Sequence, residues 1–208
     1  QVFLAADEKW RAVVASIREM HGSGRPVLIG TRSVAASEHL SELLAASDLR
    51  HQILNARQDQ EEAEVVAKAG EKGRITVATN MAGRGTDIRL APGVADMGGL
   101  HVLATERHDS RRIDRQLFGR CGRQGDPGSF QAIVSLEDEI FQSLFKGDTG
   151  WLRRMFPTVD QPLPQWLGHM LVDLAQGIAE RHNGRIRREM LRVDEQLSDM
   201  LAFTGRGE

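Results

Sequence analysis

The sequence predicts an α/β domain, a mostly parallel sheet with helices on both faces, followed by a helical C-terminal segment. Three observations carry that expectation. Short runs such as "PVLIGT" and "RITVAT" are mostly apolar and rich in β-branched residues, as strands buried on both faces are. Segments of helical periodicity alternate with these runs, the order that builds parallel crossovers. After about residue 137 the strands stop and helical spacing takes over.

Taken in order, "DEKWRAVVASIREMH" (7–21) sets Trp10, Val13, Val14 and Ile17 at helical spacing, and "GSGRP" stops that helix. "PVLIGT" follows as a strand. "SVAASEHLSELLAAS" is a helix with Ser33 as its cap and Val34, Leu40, Leu43 and Leu44 on one face. "HQILNA" (strand), "QEEAEVVAKAG" (helix), "RITVAT" and "GLHVLATE" (strands), "DSRRIDRQLFGR" (helix) and "FQAIVSL" (strand) continue the alternation. "LEDEIFQSLF" is a helix, "PTVDQPLPQ" a proline-interrupted linker, and the remainder a helix broken or bent near Gly177 and Gly184. Within it Ile186, Met190, Val193, Leu197 and Met200 form a narrow apolar seam that must pack on this chain's own α/β domain or on a neighbouring one. The expected organisation is a domain over 1–145, a linker over 146–165 and a helical segment over 166–208.

Composition narrows the function classes. The 27 basic and 29 acidic residues nearly balance, so a partner of strong charge must be met locally. One cysteine, Cys121, cannot form an internal disulfide, and no apolar run approaches the ~18 residues of a membrane span. A reducing, soluble setting is expected. The chain starts at Gln1 without a signal peptide's basic flank, and it is expected to lie inside a longer protein.

Two constellations carry chemistry. "QLFGRCGR" (116–123) has the form Q-x-x-G-R-x-G-R, which places Arg120 and Arg123 one helical turn apart between glycines. A guanidinium stays charged at any working pH and grips phosphate oxygens through a planar fork, and glycines let backbone and phosphate approach. Solvated arginines at a helix end are the plainer alternative. "ATNMAGRGTDI" (78–88) follows a strand, with Gly83 and Gly85 permitting a tight turn whose N–H groups converge on an anion. Thr86 and Asp87 add short polar groups there; an ordinary turn capped by Thr-Asp is the alternative. In such sheets ligands sit at the carboxyl ends of the strands.

These parts resemble the second RecA-like domain of superfamily 2 motor ATPases, a P-loop NTPase fold of the helicase C-terminal type. "ITVATNMAGRGTDI" and "GGLHVLATERHDSRRIDRQLFGRCGRQGDPGS" are similar to the second nucleotide-binding domain of the SecA family, motors of bacterial preprotein export. "RPVLIGTRSVAASEHLSELL", "LNARQDQEEAEVVAKAG" and "SLEDEIF" extend the likeness, and "ERHNGRIRREMLRVDEQLSDML" resembles the start of the family's scaffold helix. The resemblance implies that ATP lies between two RecA-like domains, the first supplying the Walker A loop and the magnesium site. No G-x-x-x-x-G-K-[ST] occurs here, so the chain is expected to be half of an ATPase, inactive alone.

By motif position, Arg120 and Arg123 are then the phosphate-sensing pair, one of them the arginine finger. Gly83, Arg84, Gly85, Thr86 and Asp87 line the nucleotide, with Asp87 touching it or orienting an arginine. Gln116 couples the arginine helix to the cleft or is a plain surface glutamine. "ERHDSRR" (106–112) is an ionic relay or a solvated charge cluster. His108 has no companion at metal-ligand spacing, and Cys121 is an inert filler or an activated thiol between arginines. Arg57, Asp59 and Gln60 depart from the lysine, histidine and glutamate common in the family. The implied cofactor is ATP with Mg²⁺ held mainly by the first domain. The implied partners are that domain, the SecYEG channel and preproteins, in a cytoplasmic protein peripherally bound to the bacterial membrane. The competing classes are a nucleic-acid helicase domain, disfavoured by charge balance and few aromatics, and a non-catalytic interaction module.

Overall fold

A computed structural model describes residues 1–54, 65–79, 87–145, 149–156 and 161–204, with side chains described as far as residue 194. Five parallel strands, β2 (Val27–Thr31), β3 (Gln52–Leu54), β4 (Ile75–Thr79), β5 (Leu100–Ala104) and β6 (Gly128–Ala132), form the main sheet in the order β3-β4-β2-β5-β6. The central strands β2, β4 and β5 are buried at every residue, which is why they read as continuous apolar runs rather than alternating ones.

Alternate residues of each strand serve opposite layers. Val27 and Ile29 of β2 join Ile75, Val77 and Leu103 beneath helices α1 (Ala6–Gly22) and α2 (Val34–Ala46), which contribute Val13, Ile17, Leu40 and Leu44. Leu28, Ala78, Leu100 and Val102 face the other way, toward Val66, Ala69, Ile88 and helix α3 (Arg111–Phe118). Ser33 caps α2, its Oγ accepting from the Ala36 N–H at 3.0 Å.

A third layer gathers the chain ends. β1 (Val2–Phe3) pairs in parallel with β7 (Val134–Ser135), and α4 (Glu139–Phe145), α5 (Gly150–Met155) and α6 (Gln165–Thr204) close around them. Val2, Val134, Phe141, Leu152, Leu163, Leu167 and Leu171 are among the buried residues of this cluster. The two-residue β1 carries too little sequence signal to be expected in advance; pairing creates it. The stretch expected to be a linker supplies α5, with Leu152 fully buried in this third core.

Helix α6 runs unbroken from Gln165 to Thr204, about 60 Å, through both glycines where a break or a bend was expected, so the break does not occur. Its first half buries Leu167, Leu171, Val172 and Ala175, so packing overrides the ~1 kcal/mol helical disadvantage of Gly177. Beyond that the helix projects. Met190 and Val193 of the seam are 64% and 53% exposed, so the α/β domain does not cover them.

At the amino ends of the strands, Gly99 (φ +69°) immediately precedes β5, and a Cβ there would sit 1.8 Å from the Pro127 carbonyl oxygen. Arg25 ties the same corner together, donating to the Gly98 and Gly99 carbonyls and to Ser129 Oγ at 2.8, 3.0 and 2.7 Å. Ser129 in turn faces His101 Nδ1 at 2.8 Å; burial, then the charge of Arg25, pushes the imidazole down to about 4, so it is neutral at pH 7.

Candidate functional site

Helix α3 is capped by Ser110, whose Oγ accepts from the Arg112 N–H, and it ends where the Gly119 N–H returns to the Arg115 carbonyl at 2.8 Å. The chain then turns tightly. Gly122, Gln124 and Gly125 all adopt left-handed backbone, at φ +64°, +54° and +87°. Glycines take that conformation freely, whereas for Gln124 it costs about 1 kcal/mol, the kind of local strain that concentrates at functional sites.

This turn aims Arg123. Its Nε donates to the Gly119 carbonyl at 2.7 Å and its Nη1 to Asp87 Oδ1 at 3.2 Å, while Gln124 Nε2 donates to Asp87 Oδ2 at 2.8 Å. Both oxygens of Asp87 are thus engaged by the arginine loop. Arg120, half-buried, lies close enough to Arg123 that burial, and after it the charge of Arg123, holds its guanidinium below the ordinary arginine value. Like charges partly out of water are stabilised by a nearby anion, a role the Asp87 carboxylate fills toward Arg123. Of the other expected site residues, Gly83, Arg84, Gly85 and Thr86 lie outside the described residues, as do Arg57, Asp59 and Gln60. Gln116 is half-buried and shares an open depression with Arg112 and Arg115 on α3, apart from the Asp87–Arg123 contact.

One expectation is corrected by the topology. The rule that ligands sit at the carboxyl ends of the strands would put the arginines at that edge of the sheet. Because α3 runs antiparallel to the strands, it starts at that edge and descends the face, and the arginine loop arrives at the opposite end. Cys121 and Gly122 abut Gly128, the first residue of β6, at 2.8 and 2.6 Å from where its Cβ would be.

The "ERHDSRR" segment is only partly solvated: Arg111 and Arg112 are exposed, whereas His108 is buried and Arg107 half-buried against Asp114. Asp114, 2% exposed, accepts from the backbone N–H of His108 at 3.0 Å, from His108 Nδ1 at 2.9 Å and from Arg107 Nη1 at 3.2 Å. Gln176 of α6 completes the set, its Nε2 donating to Asp114 Oδ2 at 2.7 Å and to the His108 carbonyl at 3.0 Å. Burial alone pushes the Asp114 carboxyl up; the His108 bonds, the Arg107 charge and the Gln176 amide outweigh it and hold the group below its usual range. Arg107 also lies over the Phe118 ring, 5.5 Å from its centroid, and Arg32 reaches Asp109 at 3.1 Å. Asp114 and Gln176 were missed as site residues. A glutamine on the apolar face of a helix, next to Ala175, was the available signal.

His108 is thereby occupied by a carboxylate, and no metal-ligating group of three or more acidic, His or Cys residues exists among the described residues. Cys121 donates its S–H to the Phe118 carbonyl at 3.1 Å, and burial pushes its thiol up, which fits a filler rather than a reactive group.

Comparison with known proteins decides the family. The SecA P-loop domain family model matches residues 1–95 and 91–157. This chain belongs to that family. It is similar to protein translocase subunit SecA 2 of Nitrosospira multiformis, 54% identical over 208 residues, covering all of this chain and 31% of that protein. Protein translocase subunit SecA of Desulfotalea psychrophila is 46% identical over 198 residues, 95% of this chain and 23% of that protein. The SecA-family chain thus spans about a quarter to a third of these relatives. In fold it is a RecA-like helicase-type domain. The yeast DEAD-box splicing factor Prp28 superposes with a TM-score of 0.55 over 82% of this chain and 36% of that one, at 19% identity. The Escherichia coli DEAD-box protein SrmB superposes at 0.52 over 68% and 79%, at 18% identity. Such identities speak to fold alone.

Proposed function

We propose that this segment is the arginine-bearing half of an ATPase site in a SecA-type motor, the other half belonging to a nucleotide-binding domain elsewhere in the longer protein. The observation that carries it is the fixed fork of Arg123, held by Asp87 and the Gly119 carbonyl with Arg120 beside it. Family membership supports the reading.

The substrate would be ATP with Mg²⁺, held mainly by the first domain, and the metal would supply charge neutralisation to the transfer. This chain's residues supply the rest. Arg120 and Arg123 meet the terminal phosphate across the cleft as charge builds on it, an effect worth about 10³- to 10⁵-fold in related phosphoryl transfers. Asp87 acts by orienting Arg123. A fork already fixed in plane needs no reorganisation at the moment of reaction. In the whole protein, turnover drives preproteins through SecYEG at the cytoplasmic face of the bacterial membrane. No helix among the described residues is long and apolar enough to cross a membrane.

The test is reconstitution. Mixing this chain with the separate first domain is expected to restore ATP hydrolysis, and Arg123→Ala to reduce the restored kcat by at least about 10³-fold. Turnover unchanged by Arg123→Ala would refute the assignment.

A further inference from the structure

We propose that Gln176 is a positioning residue for the arginine pair: by clamping Asp114 from the long helix α6, it sets where α3 carries Arg120 and Arg123. The inference rests on the half-site reading and adds a residue far along the chain that the reading does not use.

Gln176 is 2% exposed, and its side-chain N–H groups reach Asp114 Oδ2 at 2.7 Å and the His108 carbonyl at 3.0 Å. The other donors to Asp114, from His108 and Arg107, come from the same 106–118 stretch and travel with it. Gln176 alone among these donors joins the carboxylate to another element. Two neighbours on α6 mark the same face, since residues 173, 176 and 180 are spaced three and four apart. Asp173 Oδ1 accepts from Arg111 Nη2 at 3.1 Å, and Glu180 Oε1 accepts from the Arg111 backbone N–H at 3.0 Å. Those two contacts are exposed and contribute little. The buried amide–carboxylate bond is the one that breaks at a cost, because losing it leaves polar atoms of Asp114 and His108 without water.

The leverage follows from where the anchor sits. Arg120 lies six residues beyond Asp114, about 9 Å along the helix direction, so a tilt of about 5° at the anchor moves it by just under 1 Å. Displacements of that size in a catalytic constellation cost up to about 10²-fold. The charged groups facing Gln176 are Asp114, His108 and Arg107 from the segment it contacts, with Asp173 and Glu180, both engaged by Arg111, on its own helix.

The experiment uses the full-length protein and measures ATP hydrolysis for Arg123→Ala, Gln176→Glu and Gln176→Leu. Gln176→Glu sets a second carboxylate against Asp114; kcat is expected to fall about 10- to 100-fold with KM for ATP within about threefold. As pH drops from 8 to 6 the new carboxyl regains an O–H donor, and its kcat relative to the parent is expected to rise. Gln176→Leu keeps volume without a donor and is expected to lose kcat without that pH dependence. A change in packing alone would not give the two variants different pH profiles. If Arg123→Ala leaves hydrolysis intact, the half-site reading itself fails. If Arg123→Ala abolishes it while Gln176→Glu and Gln176→Leu match the parent, or both lose activity with the same pH profile, only the role of Gln176 is overturned.

Discussion

Gly30→Ala tests how tightly α3 is seated. Gly30 lies in the fully buried strand β2, and a Cβ built there would stand 2.5 Å from Leu117 Cδ2, 3.0 Å from Cδ1 and 3.3 Å from Cγ. Carbon atoms rest at about 3.5–4.0 Å, so the leucine must retreat by roughly 1 Å. Rotating the terminal methyls does not suffice, because Cγ is itself too close. Either the side chain leaves its rotamer or α3 lifts. Overpacking of this kind costs about 1–3 kcal/mol, and replacing a strand glycine by alanine returns about 0.5–1 kcal/mol. The net expectation is a loss of up to about 2.5 kcal/mol, centred near 1 kcal/mol, or up to roughly 10 °C in Tm for a chain of this size. Leu117→Ala alone also destabilises, through lost packing, but in Gly30→Ala/Leu117→Ala the new methyl fills space the leucine vacates, and the pair is expected to be non-additive by about 1 kcal/mol or more. Urea titrations of the four proteins, followed by far-UV circular dichroism, measure the cycle. A neutral Gly30→Ala, additive with Leu117→Ala, would refute the claim that Leu117 sits on the bare backbone of β2.

Two further outcomes follow from buried titratable groups. Asp138, 8% exposed and 2.5 Å from Lys9 Nζ, is pushed up to about 6, burial outweighing the pull of Lys9. A native group that keeps its proton to about 6, where the unfolded chain releases it near 3.8, makes stability fall as pH rises through that window; Asp138→Asn is expected to lack this decline when urea titrations at pH 4.5 and 7 are compared. Cys121, its thiol raised by burial, is expected to alkylate with iodoacetamide at pH 7.5 at least about tenfold more slowly than in the urea-unfolded chain, and equal rates would show an accessible thiolate.

The fold was legible where one face or both faces of an element are buried by a regular pattern. β2, β4 and β5 announce themselves because strands covered on both sides are apolar at most positions, and α1 and α2 because Val13, Ile17, Leu40 and Leu44 keep the helical period. Elements made by contact were not legible. β1 is two residues that become a strand by pairing with Val134 and Ser135, and α6 passes Gly177 intact because Leu171, Val172 and Ala175 anchor it just before the glycine. Gly30 shows the opposite limit: its lack of a side chain is visible in the sequence, but what occupies the space is 87 positions away.

The same division runs through the site. That Arg120 and Arg123 belong together could be inferred from glycine spacing, because the need for backbone close to an anion restricts residue type locally. That Asp87 holds Arg123 depends on two loops meeting over a sheet face, and the carboxyl-edge rule misplaced the pair because the rule concerns the residues that directly follow strands. An arginine loop that follows a helix antiparallel to the sheet escapes it. Its position is instead fixed at both ends: the close approach of Cys121 and Gly122 to Gly128 seats the far end of the loop, and Asp114 seats the near end of the helix. On the half-site reading proposed above, such a mount places the arginines by contacts remote from the cleft and keeps them directed before a second domain closes.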